Sequence, residues 1–362
     1  WPFFLSNIST AGYTSSTIII LGVFASDSTV GAYAAAEKLI MAASGIMAPV
    51  LQAAYPLMAR ISDENVELFD SYKVSEQVKK INSIKDQYDL CIIMGTERIA
   101  YFNGDFLPES KVCISFRDRG FNLGDAVFDA ERTFAGEIFR LGAHIDRLYG
   151  SLEKTSIDPG LTPQEMTEIT QEVVAHNLPL LGAGEDYWVM QRVTRGLNVV
   201  GGELWQSSGA TVIVECTPLP LRARAPMLRD GLDVFTPSLR RVPPESLDPN
   251  VKSHNYLNLV MADLEVRDRS SHAWAVLLDT RGYVSEGIGS NVFFVKNGEI
   301  LTPNAEFVLP GVSRAVVLEL AAGEGIRVHE TDISPEQARD SDEAFITSTS
   351  FCICPVRSYD GV

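Results

Sequence analysis

Apolar and polar positions follow three textures along this chain. From residue 1 to residue 60 the only charged side chains are Asp27, Glu37, Lys38 and Arg60. Residues 3–25 and 39–59 form two uncharged runs, the second broken by Pro49 and Pro56. Each is about as long as the ~20 residues a bilayer-spanning helix needs, and prolines are tolerated in such helices. Two buried helices of a globular protein would also fit. The absence of a charged stripe favours the membrane-spanning reading. A secretory signal is not indicated, because there is no basic start ahead of a short apolar core. Lys73, Lys79, Lys80 and Lys85 follow the second run, which puts that side toward the cytoplasm. Residues 62–88 are polar and charged, and read as a linker or an exposed helix.

From about residue 89 the pattern becomes that of an α/β protein. Residues 90–94 and 100–105 read as strands, the latter entering a turn at Asn103-Gly104. Residues 139–151 carry Ile145 and Leu148 at helical spacing. Thr162-Pro163-Gln164-Glu165 predicts a helix start, with an N-cap, proline in the first position and an acid in the first turn, running to about His176. Residues 211–216 are a β-branched strand. The Pro- and Arg-rich segment 218–225 is the expected domain boundary. Beyond it, Tyr256, Leu257, Val260, Met261 and Leu264 share one helical face. Residues 273–278 read as a buried strand, and 291–295 with 299–302 as a hairpin around Asn297-Gly298. Residues 309–313 open a helix through about 321, and 344–347 form the last strand. The expected organisation is a membrane segment at 1–61, a linker at 62–88, a small α/β domain at 89–220 and a larger domain at 221–362.

Composition narrows the function. The chain has 362 residues, 46% of them hydrophobic, enough for more than one domain. A net charge of −17 excludes a nucleic-acid partner, which needs a basic face. Five cysteines without a regular framework read as reduced thiols. Neither they nor the scattered histidines show metal-ligand spacing, so no metal is expected. Gly287-Ile288-Gly289 lacks the third glycine and the following helix of a dinucleotide loop.

The remaining chemistry suits a phosphorylated aldehyde cofactor. Lys252 can supply an amine to the aldehyde. Glu286 can keep a pyridine nitrogen protonated, so that the ring accepts electrons. The phosphate needs helix N-terminal N–H groups, hydroxyls and a guanidinium. Val312 and Ser313 lie at a helix start, Thr349 and Ser350 follow a strand end, and Arg140 precedes a helix. Each feature has an ordinary explanation alone, as a surface residue or a helix cap. Their order and spacing carry the signal.

Residues from about 97 onward resemble the class IV (fold type IV) pyridoxal-phosphate aminotransferases. That family includes branched-chain and D-amino-acid aminotransferases, (R)-selective amine transaminases and aminodeoxychorismate lyases. The matching motifs include Arg119-Gly120-Phe121 through Asp129, Phe139-Arg140 with His144-Ile145-Asp146-Arg147-Leu148, and Val193-Thr194-Arg195-Gly196. Val251-Lys252-Ser253-His254-Asn255-Tyr256, Glu286-Gly287-Ile288-Gly289-Ser290-Asn291, Leu309-Pro310-Gly311-Val312-Ser313-Arg314 and Pro355-Val356-Arg357-Ser358 follow in order. The resemblance implies a small α/β domain beside a larger pseudo-barrel domain, with pyridoxal 5′-phosphate in the crevice between them. It implies transfer of an amino group from an amino acid to a 2-oxo acid, usually by a homodimer. Lys252 is then the aldimine lysine and proton shuttle, and Glu286 the partner of the pyridine nitrogen. Arg140, Val312, Ser313 and Thr349 hold the phosphate, and Tyr256 lies against the ring oxygen. Leu123, Phe128, Met190, Arg192 and Ser350 fall at substrate positions. Leu123 departs from the tyrosine of branched-chain enzymes. Arg240-Arg241-Val242-Pro243-Pro244 resembles an interdomain loop of (R)-amine transaminases.

Residues 1–60 resemble polysaccharide (O-antigen type) flippases through Phe4-Leu5-Ser6-Asn7-Ile8, 31–38 and 54–60. Two spans cannot enclose a transport route, so transport is not expected of them. The start at Trp1 and the end at Val362 suggest a fragment or a junction of two coding sequences. The expected enzyme is cytoplasmic, with residues 1–61 as an inner-membrane anchor. A lyase of the aminodeoxychorismate type and a non-catalytic flippase fragment are the alternatives.

Overall fold

The computed structural model describes residues 97–362, Leu204 excepted. The expected spans at 3–25 and 39–59, the linker at 62–88 and the strand at 90–94 lie outside the described residues. Among the described residues no helix is long and apolar enough to cross a membrane.

The first sheet begins with the hairpin of β1 (Ile99–Phe102) and β2 (Asp105–Pro108). Asn103 and Gly104 between them both have positive φ, 50° and 108°, the backbone a tight two-residue hairpin requires. A short helix, α1 (Arg119–Leu123), is capped by the Asp118 carboxylate, which accepts from the Gly120 N–H. There follow β3 (Ala126–Phe134), β4 (Glu137–Ile138), α2 (Leu141–Thr155), α3 (Pro163–Asn177), β5 (Tyr187–Thr194) and β6 (Thr211–Pro218). The six strands lie in the order β2-β1-β6-β5-β3-β4, with antiparallel neighbours throughout.

Helix α3 starts where the sequence predicts. Thr162 accepts from the Glu165 N–H while the Glu165 carboxylate accepts from the Thr162 N–H, so two orphan donors of the first turn are satisfied. Helix α2 buries Leu141, His144, Ile145, Leu148 and Leu152, a stripe at three- and four-residue spacing. That stripe, with Met166 and Val173 of α3, packs on Val127, Val189 and Val214 of the sheet. Each such side chain contributes about 1.5–3 kcal/mol by leaving water.

The expected boundary segment 218–225 joins the two sheets, and from Leu221 it is helical. This is α4 (Leu221–Asp230), which continues through Pro226 and ends at Gly231. The second sheet then assembles from β7 (Leu232–Phe235), β8 (Ala273–Leu278), β9 (Val284–Gly287), β10 (Asn291–Lys296), β11 (Glu299–Thr302), β12 (Val328–Glu330), β13 (Glu343–Ser348) and β14 (Cys352–Tyr359). Its order is β12-β11-β10-β13-β14-β7-β8-β9. The β14/β7, β7/β8 and β11/β12 pairs are parallel and the others antiparallel. Helices α5 (Leu257–Val266), α6 (Val312–Gly323) and α7 (Pro335–Arg339) interrupt the strands. Both sheets belong to one unit spanning Gln87–Val362, and the fold is mixed α/β.

One expectation is corrected here. Residues 344–347 are not the last strand, because β14 follows and lies inside the sheet between β13 and β7. Pro355 and Arg357 interrupt its apolar alternation and hid it. Helix α5 lies where predicted, and the fold decides which of its faces is buried. Leu259, Ala262 and Val266 are its buried residues, and they pack with Ala275 and Leu277 of β8. Leu257, Val260, Met261 and Leu264, which share one helical face in the sequence, are exposed.

Candidate active site

Lys252 lies in the segment leading to α5, and strand β3 holds that segment in place. The Phe128 N–H donates to the Lys252 carbonyl at 2.9 Å and the His254 N–H donates to the Ala126 carbonyl at 2.9 Å. From the other side the Ser151 hydroxyl of α2 accepts from the Lys252 N–H at 3.1 Å. The lysine is thereby largely buried, at 8% exposure. Its Nζ sits 4.5 Å from the Phe128 ring centre and 3.3 Å from the Tyr256 hydroxyl. Such contacts hold a cationic head over aromatic faces.

Glu286, on β9, is also buried. Its Oε1 accepts from Arg241 Nε at 2.9 Å and its Oε2 accepts from the Leu309 N–H at 2.9 Å. Arg241 lies in the Arg-Pro-rich loop after β7, so the two basic members of that loop have unequal roles. Lys252 and Glu286 line the same cleft, which encloses about 660 Å³ including its open mouth.

The cleft also receives the N-terminus of α6. Gly311 is its N-cap, with no side-chain cap, so the first-turn N–H groups are left for a ligand. Glycine is needed at 311 because a Cβ there would stand 2.1 Å from Asn291 Oδ1. Asn291 in turn donates to the Leu309 carbonyl at 3.0 Å, which fixes the entry to the helix. Val312, Ser313 and Thr349 all line the cleft. The Thr349 hydroxyl, however, donates to the Ala130 carbonyl at 2.8 Å. Thr347 also lines the cleft, and its buried Oγ1 has no hydrogen-bond partner among the described residues.

Arg140 is not in the cleft. It is the N-cap of α2, with φ of 55°, and its guanidinium points outward to an exposed ion pair with Glu319 at 2.6 Å. The arginine lining the cleft is Arg147, two turns along the same helix. Its Nε and Nη2 donate to Asp129 at 2.8 and 2.7 Å, and its Nη1 donates to the Pro310 carbonyl at 3.1 Å. The signal that could have found it is its place beside the buried stripe of α2, next to His144 and Leu148.

Among the substrate candidates, Phe128 packs edge-on against Tyr256 and His254. Leu123 is half exposed and does not line the cleft. Met190 and Arg192 stand on β5, outside the lining. Arg192 pairs with Glu215 at 3.0 Å, and its guanidinium lies 5.8 Å from the Phe128 ring centre. Ser350 is buried behind the lining, 3.4 Å from the Ser348 hydroxyl. Residues the sequence reading missed are Arg147, Arg241, Asn291 and Thr347.

Electrostatics around the cleft are uneven. Burial, aided by Arg192, lowers His254 to about 4, so it adds no charge beside Lys252 at neutral pH. Burial opposes ionisation of Asp129, but Arg147 and His144 outweigh it and hold that carboxyl well below its usual range. Burial, with the charge of Asp129 nearby, pushes Glu131 well above the usual carboxyl value. Asp129, Glu131 and His144 bring donor atoms within 4.8 Å of one another, a grouping able to hold a metal. The sequence showed no such spacing, because β3 and α2 bring these residues together only in the fold. Arg147 already provides the cation that Asp129 faces.

The class IV amino-transferase family model matches residues 126–359. A second model, described as polysaccharide biosynthesis protein, matches residues 1–62. A Methanocaldococcus jannaschii protein provisionally named branched-chain-amino-acid aminotransferase is 38% identical over 72% of this chain and 88% of its own length. The D-alanine aminotransferase of Bacillus licheniformis is 30% identical, over 72% of this chain and 88% of its own. Among solved structures, the T.th. branched-chain amino acid aminotransferase complexed with N-(5′-phosphopyridoxyl)-L-glutamate superposes with a TM-score of 0.65. It is 28% identical and covers 73% of this chain and 86% of its own.

Proposed function

The chain belongs to the class IV aminotransferases, and on that premise we propose that Lys252 and Glu286 carry its amino transfer from a branched-chain-like amino acid to a 2-oxo acid. It is a pyridoxal-phosphate-dependent aminotransferase. The single observation that supports the assignment is that the buried amine and the buried carboxylate line one cleft.

The residues present fit the cofactor. Thr347 Oγ1 is an orphaned buried hydroxyl in the lining, and orphaned groups of this kind are normally satisfied by a ligand or water. Gly311 leaves an uncapped helix end where a phosphate is favoured. When bound, the cofactor supplies an electron-accepting ring and an aldehyde carbon. Lys252 would hold that carbon through its Nζ, and the same Nζ would serve to take up and return a proton. Tyr256, 3.3 Å away, orients the amine. Glu286 is held rigid by Arg241 and the Leu309 N–H. Each carboxylate oxygen keeps a lone pair for the N–H of a protonated ring. The first turn of α6 with Ser313, and Arg147 in place of Arg140, take the phosphate end. Arg147 there presents the fixed fork that suits phosphate oxygens.

The branched-chain donor class rests on the names of the relatives. A D-amino acid is the second reading, motivated by the Bacillus relative. Transamination assays with L-leucine and with D-alanine, each with 2-oxoglutarate, separate them. For Lys252, borohydride reduction of the holoenzyme should add the cofactor's mass to the peptide carrying residue 252, and Lys252→Ala should abolish it. Retention of that mass by the variant refutes the assignment.

We further infer a homodimer and a cytoplasmic enzyme part, with residues 1–61 as a membrane anchor. The exposed apolar stripe of α5 supports the dimer, and the uncharged runs at 3–25 and 39–59 motivate the anchor. Sedimentation of the enzyme part at micromolar concentration should give twice the chain mass, and a monomer refutes the dimer.

A further inference from the structure

Alternation along β3 places Asp129 and Glu131 on the side facing the helices, together with Val127 of the first core. Asp129 has no exposure, and four donors converge on its carboxylate. Oδ2 accepts from Arg147 Nε at 2.8 Å. Oδ1 accepts from Arg147 Nη2 at 2.7 Å, from His144 Nδ1 at 2.7 Å and from the Ala130 N–H at 2.8 Å. Two donors in parallel to the two oxygens of one carboxylate fix the guanidinium plane, not only its position. His144 must carry its proton on Nδ1 to make its contact.

The third tie runs the other way. Arg147 Nη1 donates to the Pro310 carbonyl, just ahead of α6. The guanidinium thus bridges β3 of the first sheet and the approach to α6 beside the second. With these bonds made, one N–H on each terminal nitrogen is left over, and Arg147 lines the cleft.

We propose that Asp129, steadied by His144, is a positioning residue that aims Arg147 at the phosphate end of the cleft. This rests on the reading of Arg147 given above. Glu131 fits the same arrangement. It lies on the same face of β3 with an amide, Gln191, as its partner, and its raised pKa keeps it neutral at lower pH. Asp129 acts through Arg147, so its loss should be felt by a phosphorylated ligand and not by its dephosphorylated counterpart.

The test uses the full chain freed of cofactor, titrated with pyridoxal phosphate and with pyridoxal by tryptophan fluorescence. In Asp129→Asn the dissociation constant for pyridoxal phosphate should rise about ten-fold or more, in line with the cost of misplacing a positioning group. The constant for pyridoxal should not move. Equal changes for both ligands, or no change for either, overturn the proposal. Arg147→Lys tests the underlying reading separately. If Arg147→Lys leaves the preference for the phosphorylated ligand intact, the phosphate role of Arg147 fails. If Arg147→Lys loses it and a folded Asp129→Asn keeps it, only the positioning role fails. Should Asp129→Asn not fold, His144→Leu removes one donor without unpairing Arg147. A loss selective for pyridoxal phosphate supports the proposal in that variant, and an unselective one overturns it.

Discussion

Glu131 offers the sharpest test of how this small domain tolerates buried charge. The side chain has no exposure and accepts from Gln191 Nε2. Its Oε2 and the Gln191 Oε1 are both buried without partners among the described residues. A proton on Oε2 would let the acid donate to the amide oxygen while accepting from the amide nitrogen, so both orphans would be satisfied. Burial and the nearby Asp129 favour that protonated form. The sign of the consequence follows from linkage. A carboxyl whose pKa is raised by folding binds its proton more tightly in the folded state. Its contribution to stability is complete below the unfolded value and is lost as pH rises through the folded one.

Glu131→Gln has no proton to lose and keeps one donor and one acceptor. It should match the parent near the ordinary glutamate value. Above that pH the parent should fall behind by about 1.4 kcal/mol per pH unit until Glu131 ionises in the folded state. In a domain of this size that is roughly 3–6 °C of melting temperature per unit. Urea denaturation of both proteins across a pH series reads the difference directly, and other titrating groups cancel. Parallel stability curves would refute the reasoning, because Glu131 would then titrate alike folded and unfolded.

Other outcomes follow from the same geometry. Glu286→Ala should lose cofactor on dialysis and lose most of its turnover, since it removes the buried partner of Arg241 and the Leu309 N–H; parent rates in that variant would refute its role. Arg140→Ala removes an exposed pair with Glu319, so stability should change by less than about 1 kcal/mol and cofactor affinity should hold. A ten-fold loss of affinity there would restore Arg140 to the site and displace the assignment to Arg147.

Much of the fold was legible because its parts are local. Thr162-Pro163 with Glu165 fixed the start of α3 through a cap that needs only neighbouring residues. Asn297 and Gly298, with φ of 52° and 77°, set the β10–β11 hairpin in the same way. Lys252 and Glu286 were singled out through motif order, and both line one cleft. The two arginines of α2 were not separable in that manner. Arg140 and Arg147 stand two turns apart, and both could follow the same helix toward the phosphate. What divides them is Asp129, a residue of another strand whose carboxylate exists for Arg147 only once β3 and α2 are packed.

The buried face of helix α5 was open in the sequence for a different physical reason. Sequence periodicity identifies a core face only when the opposite face is polar. Here Leu259, Ala262 and Val266 make one stripe, and Leu257, Val260, Met261 and Leu264 make another. Either could face β8. The small Ala262 lets the helix come close to Ala275 and Leu277, and that approach decides the orientation. The larger side chains are left outside, with Leu257 70% and Leu264 52% exposed. Four large apolar groups in one stripe are more than scattered surface residues require. A helix that satisfies its own sheet with its smaller face and presents its larger one outward is the arrangement expected where a second surface completes the burial. The dimer inferred for this enzyme therefore rests on which face the fold used, which the periodicity alone left open.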